Sequence, residues 1–157
     1  MVDTTPLVER AIAHIATLSP DILVITGDLV HNVQPAEYAR LKAMLAPLTM
    51  PVYLIPGNHD SPDLIRQTFT HHTYLPPTGP LHYTVDAADG ETGETDAAPL
   101  RLIMLDTNVP GEGRGELDDA QLQWLDTQLS EQPEVPTLLF MHHPPFTTGI
   151  ELMDGYG

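Results

Sequence analysis

The sequence predicts an α/β protein, a layered sandwich of mixed β-sheets flanked by helices, on three observations. Short apolar runs at 22–25, 52–55 and 138–141 are each bounded by Gly, Pro, Asp or Asn, the pattern of buried strands. Segments with helical apolar spacing alternate with the first two of them, giving strand, helix, strand, helix. At 157 residues and 41% apolar content, the chain fits one domain with a real core.

Each element has a local reason. Thr5-Pro6 reads as a capping residue followed by a first-turn proline, and Leu7, Val8, Ala11, Ile12, Ile15 and Leu18 keep helical spacing up to Ser19-Pro20. The first strand runs into Gly27-Asp28. Pro35 opens a second helix through Tyr38, Leu41, Met44 and Leu45. Pro51 begins the next strand, which ends at Pro56-Gly57. Ser61-Pro62-Asp63 caps a short helix carrying Leu64, Ile65 and Phe69. Residues 81–85 alternate like a strand, and 100–105 form another. Between them, 86–99 holds five carboxylates, two glycines and no basic residue, which predicts an exposed loop. After the glycine-rich stretch 111–115, Asp118 or Asp119 caps an amphipathic helix. Its expected buried stripe is Leu122, Leu125 and Leu129, with Trp124 beside it. The strand ending at His142 closes the regular part, and nothing from 144 to 157 resembles a domain ending. No internal repeat or linker interrupts residues 1–157, which read as a single domain.

Composition narrows the partners. Twenty-two carboxylates against six Lys and Arg give a formal charge of −16, which repels nucleic-acid backbones and anionic membranes. Solubility or a salty habitat is sufficient cause for that charge. No apolar run approaches the ~18 residues of a membrane span, and no basic-then-apolar leader stands at the N-terminus. A cytoplasmic protein is expected. The absence of cysteine excludes disulfides and thiolate metal sites.

The chemistry gathers where strands end. Gly27-Asp28, Gly57-Asn58-His59-Asp60 and His142-His143-Pro144-Pro145 each follow an apolar run. Ligands of open α/β sheets bind beyond the carboxyl ends of strands. A carboxylate, an amide and several imidazoles are therefore expected at one edge of one sheet, a donor set suited to divalent transition metals. Asp28 can use two oxygens and so bridge two ions about 3.5–4 Å apart. Asn58 is a weak neutral donor that also suits the turn. His59 cannot easily share its neighbour's ion, and its imidazole suits a phosphate contact or protonation of a leaving oxygen. Adjacent strand residues face opposite ways, which favours His142 for the metal and leaves His143 to support the loop. Taken singly, each residue has an ordinary structural reading as a turn aspartate, a turn asparagine or a packed histidine. His14 reads as helix surface and His71-His72 as a cationic helix end. His31, three residues after Asp28, reads as a pocket-lining candidate, and Arg114 as a loop arginine that could approach a phosphate.

In combination and order, these motifs resemble those of the calcineurin-like metallophosphoesterases, most closely the bacterial class III cyclic nucleotide phosphodiesterases. Val2-Asp3-Thr4-Thr5, Leu105-Asp106-Thr107 with Pro110-Gly111, Gly115-Glu116-Leu117, Gln121-Leu122 and Trp124-Leu125 extend the resemblance over nearly the whole chain. The resemblance implies a metallophosphoesterase-type sandwich and a hydrolase of phosphate esters, with a small ester or cyclic nucleotide such as 3′,5′-cyclic AMP as substrate. It implies two metal ions (Fe, Mn or Zn), with Asp28 bridging both and Asn58 and His142 on the second. His59 would meet the phosphate and help the leaving group depart, while water activated by the metals attacks phosphorus in line.

The sequence departs from that pattern at both ends. The family's opening strand ends in Asp-x-His, and Met1-Val2-Asp3-Thr4 has no such histidine; nothing after His143 supplies the family's closing Gly-His-x-His. Loss at both ends with an intact middle predicts an internal fragment, inactive alone, lacking the first strand and the C-terminal part. The alternatives are a phosphomonoesterase or other phosphodiesterase of the same superfamily, or a shortened, non-catalytic binding module.

Overall fold

A computed structural model describes residues 4–86 and 100–155. In chain order the elements are α1 (Thr5–Leu18), β1 (Leu23–Ile25), α2 (Pro35–Leu45), β2 (Val52–Leu54), α3 (Pro62–Thr68), β3 (Tyr83–Asp86), β4 (Arg101–Met104), α4 (Asp119–Glu131), β5 (Thr137–Phe140) and α5 (Glu151–Asp154). The carboxylate-rich loop expected at 86–99 lies, beyond Asp86, outside the described residues, as does Val2-Asp3. The N-cap of α1 is Thr4, one residue earlier than the expected Thr5, and its side chain makes no capping hydrogen bond. Ser61 does cap α3, accepting from the backbone N–H of Leu64.

β1 and β2 pair in parallel, and β3, β4 and β5 form a second, mixed sheet in that order. Ile55, Tyr83, Leu102 and Met104 are buried between the sheets, with Val24, Tyr53 and Phe140 packed around them. On the far side of the first sheet, Tyr38, Leu45, Leu54, Ile65 and Phe69 form a second core with Ile12 of α1. The order of layers is therefore α1–α3, the first sheet, the second sheet, α4. The tyrosines stitch it together: Tyr83 donates its hydroxyl to the carbonyl of Leu54 at 2.8 Å, and Tyr74 donates to that of Val52 at 2.8 Å.

Two expectations about burial fail. Leu122 and Leu129 of α4 are exposed. The helix is seated by polar anchors instead. Asp118 and Gln121 form a capping box, and Gln121 Nε2 also donates to the carbonyl of Asp106 at 2.7 Å. The Trp124 ring lies against His82 at 4.3 Å, and Arg101 donates to the carbonyl of Gln128. The line of contact is thus 121–124–128, and one residue further turns a side chain by about 100°. That rotation carries Leu122 and Leu129 off the sheet. Strand β5 is not buried either: Leu138 is 49% exposed and Leu139 44%. They point to opposite faces, so both faces of this edge strand are open among the described residues. Leu138 pairs in register with fully buried Leu102, so its side is the one that faces the first sheet. β1 and β2 do not reach far enough to roof it.

Candidate metal centre

The three strand-end motifs do meet, but not on one sheet. Asp28 and Asn58-His59 follow β1 and β2, whereas His142 follows β5 of the second sheet. The expected single edge is instead an opening shared by two stacked sheets. The backbone there is built for close approach. Gly27 has φ 105° and Asp28 φ 51°, left-handed conformations that Gly adopts freely and Asp tolerates. A Cβ on Gly27 would lie 2.5 Å from His142 Nδ1, and one on Gly57 would lie 2.8 Å from His142 Cε1. Only glycines at both positions let the imidazole sit between the two loops.

The His142 ring is fixed from behind. Its Nδ1 lies 2.8 Å from the carbonyl of Thr26, which can only accept, so Nδ1 carries the hydrogen. In the neutral ring Nε2 then presents a lone pair. It lies 3.2 Å from Asn58 Oδ1 and 3.4 Å from Asp28 Oδ1. Three electron-pair donors are thus directed at one another with no hydrogen of their own between them. Donors sharing one ion at about 2.1 Å sit about 3.0 Å apart at right angles and about 3.4 Å apart in a tetrahedron. The spacing and donor types fit a divalent transition metal. Among the described residues, no group of three or more His, Cys, Asp or Glu side chains is placed to hold an ion; the third donor here is the Asn58 amide.

His59 stands beside this trio. Its backbone N–H donates to Asp28 Oδ1 at 3.2 Å, and its Nδ1 lies 3.0 Å from the carbonyl of His31. By the same reasoning Nδ1 carries the hydrogen, and Nε2 is left for a ligand. His143 faces away: it is buried, with Nδ1 2.8 Å from Thr107 Oγ1 and its ring pressed against Gly115. Burial lowers its pKa, as does neighbouring His142.

Two groups that hold the site together carry no marked signal of function in the sequence. The buried Asp60 carboxylate accepts from the N–H of Gly57 (2.9 Å), the N–H of Leu29 (3.0 Å) and the hydroxyl of Tyr38 (3.1 Å). It ties the Asp28 loop to the Asn58 loop. Burial pushes its pKa up, while those three donors pull the other way. Tyr38 in turn accepts from the N–H of Ser61. The position of Asp60 in the motif was the only available clue, because its partners are up to 31 residues away.

The other candidates are engaged elsewhere. Arg114 is held by Glu112 and Glu116, each at 2.5 Å, so it is not free for a phosphate. Helix α3 ends at Thr68, ahead of His71-His72. His72 bonds the hydroxyl of Tyr74 at 2.6 Å, and burial lowers its pKa. The expected cationic helix end is therefore not formed by His72. His14 is an exposed residue of α1, as expected.

Comparison with known proteins identifies relatives. The sequence model of the calcineurin-like phosphoesterase family matches residues 3–156. A protein of Arcobacter nitrofigilis described as a probable glycerophosphodiester phosphodiesterase is 34% identical over 155 residues, covering 98% of this chain and 53% of that protein. A probable cyclic nucleotide phosphodiesterase of Synechococcus is 33% identical over 154 residues, covering 98% and 54%. The 3′,5′-cyclic adenosine monophosphate phosphodiesterase of Escherichia coli is 31% identical over 134 residues, covering 85% and 44%. The chain spans about half the length of the curated relatives it matches.

Proposed function

The chain belongs to the calcineurin-like phosphoesterase family, and from that premise we propose that it is the internal part of a longer hydrolase of phosphodiesters. The first candidate substrate is 3′,5′-cyclic AMP, and the E. coli relative bears the name of that activity. The approach of Asn58 Oδ1 and Asp28 Oδ1 to His142 Nε2, at 3.2 and 3.4 Å, carries the reading.

In this proposal Asp28 would serve both ions of a two-metal centre, and Asn58 and His142 would hold the second. The identity of the ions (Fe, Mn or Zn) follows from supply as much as from these donors. Bound there, the ions would polarise the phosphoryl oxygens and lower the pKa of water near phosphorus. The Thr26 carbonyl keeps the His142 lone pair aimed at the centre, a second-sphere contact of the kind that sets ligand orientation. With both ring nitrogens protonated, His59 would donate Nε2–H to the phosphate or to the departing oxygen, while Nδ1–H stays on the His31 carbonyl. The remaining ligands lie in the family's Asp-x-His and Gly-His-x-His motifs, outside residues 1–157. A cytoplasmic setting accompanies the cyclic-nucleotide reading; no helix among the described residues is long and apolar enough to cross a membrane.

Assays with added Mn²⁺ on this chain and on the longer protein test the proposal, using cyclic nucleotides, glycerophosphodiesters and a monoester. The longer protein should turn over cyclic AMP, and His59→Ala should lower kcat about 10²–10⁴-fold. The 157-residue chain alone should show little or no turnover. Robust activity of the short chain would contradict the fragment reading, and a strong monoester preference would remove cyclic AMP as the substrate.

A further inference from the structure

The loop after β1 contains a device that the ligand set does not use. Glu37, in the first turn of α2, accepts the backbone N–H groups of His31 (3.0 Å) and Asn32 (2.9 Å) on one oxygen. Its other oxygen takes the side-chain amide of Asn32 at 3.0 Å. One residue on, Val33 has φ 53°, a left-handed conformation that a β-branched residue rarely adopts. A single carboxylate thus holds the loop in a conformation it would not choose locally, and backbone held in this way tends to serve a site.

What the loop presents is His31, lying on His59. The carbonyl of His31 takes the Nδ1 hydrogen of His59, and the two imidazoles stack with centroids 5.5 Å apart and planes 15° apart. One hydrogen bond leaves an imidazole free to pivot, because the torsion between Cβ and the ring has a broad profile. A second ring laid against its face removes that freedom. We propose that His31 is a positioning residue for His59: its carbonyl fixes which nitrogen carries the hydrogen, and its ring holds the imidazole plane. Nε2 is thereby left as the nitrogen that takes up a proton and presents it to the ester phosphate. The purpose of this device rests on the role proposed for His59 above; the device itself operates in the chain alone.

The 157-residue chain tests this without turnover. Long-range ¹H–¹⁵N correlation spectra of the imidazoles, taken about two pH units above the usual histidine pKa of about 6.5, report which nitrogen is protonated. Wild-type His59 should give the Nδ1–H form. His31→Ala, which keeps the backbone carbonyl but lets the His59 ring pivot away from it, should convert it to a mixture with a measurable Nε2–H share. His31→Phe, which restores a flat ring, should restore the single form. His142, fixed by Thr26, should stay Nδ1–H in all three and so report an intact site. Should His31→Ala not fold, His31→Gln against His31→Phe makes the same comparison. An unchanged His59 spectrum in the variant without a ring, or a mixture that Phe does not repair, would overturn the proposal. Metal binding and turnover by the longer protein are read separately. A held ring in a longer protein that binds no metal would sink the phosphoesterase reading and leave the role of His31 standing.

Discussion

Asp60 exemplifies a residue whose task is set by its partners rather than by its type. Three donors from 22 to 31 residues away, or from three residues back in its own loop, end on one buried carboxylate. Replacing it with alanine strands two backbone N–H groups and a phenol, each worth about 1–3 kcal/mol when buried without a partner. Asp60→Ala should therefore cost about 2–4 kcal/mol in urea unfolding and loosen the Asp28 loop. A loss below about 0.5 kcal/mol, the range of ordinary surface changes, would show that water replaces the carboxylate. The glycines act at the same scale by having no side chain: His142 occupies the space that a Cβ on Gly27 or Gly57 would need.

Among the elements, α4 and β5 carry exposed leucines, as α1 does at Leu7 and Leu18. Leu129 lies about 100° around the helix from the line that touches the sheet, so Leu129→Gln should change stability by no more than about 0.5 kcal/mol. Leu102→Ala, at a fully buried site, should cost about 2–5 kcal/mol. Leu138 discriminates further. It faces the inter-sheet side yet is half exposed, which leaves room for a covering strand from the longer protein proposed above. Leu138→Gln should therefore be tolerated in this chain and cost about 1.5–3 kcal/mol in the longer protein. Equal costs in thermal or urea unfolding of the two forms would argue against a covering strand. An uncovered strand with unpaired backbone groups also invites edge pairing between molecules.

Across the whole molecule, buried histidines couple stability to pH. Burial lowers the pKa of His72, His82 and His143. The unfolded chain takes up these protons near pH 6.5, while the native chain does so only at lower pH. Between those values the unfolded state binds more protons, so stability rises with pH and is lost as pH falls through that window. The urea midpoint should drop between about pH 7.5 and about pH 5.5. A midpoint that is flat or rises on acidification would show that these rings do not outweigh buried Asp60 and Asp106, whose raised pKa values favour the native state as pH falls. The net charge of −16 acts alongside them, because protonating carboxylates at still lower pH relieves self-repulsion.

Local signals were sufficient for the fold class and for nominating the site's candidates. Pro35, Ser61-Pro62 and Asp118 set helix starts through rules acting within one turn, and glycine-bounded apolar runs marked the strands, as the described elements bear out. Motif order alone named Asp28, Asn58, His59 and His142 as the residues to watch. Only the tertiary structure decided that His142 arrives from a second sheet, that Asp60 ties two loops, and that His31 lies on His59. It also turned Leu122, Leu129 and Leu138 toward solvent. Apolar periodicity states that a face wants cover, but whether cover exists depends on elements far away in the chain, and no local pattern records that.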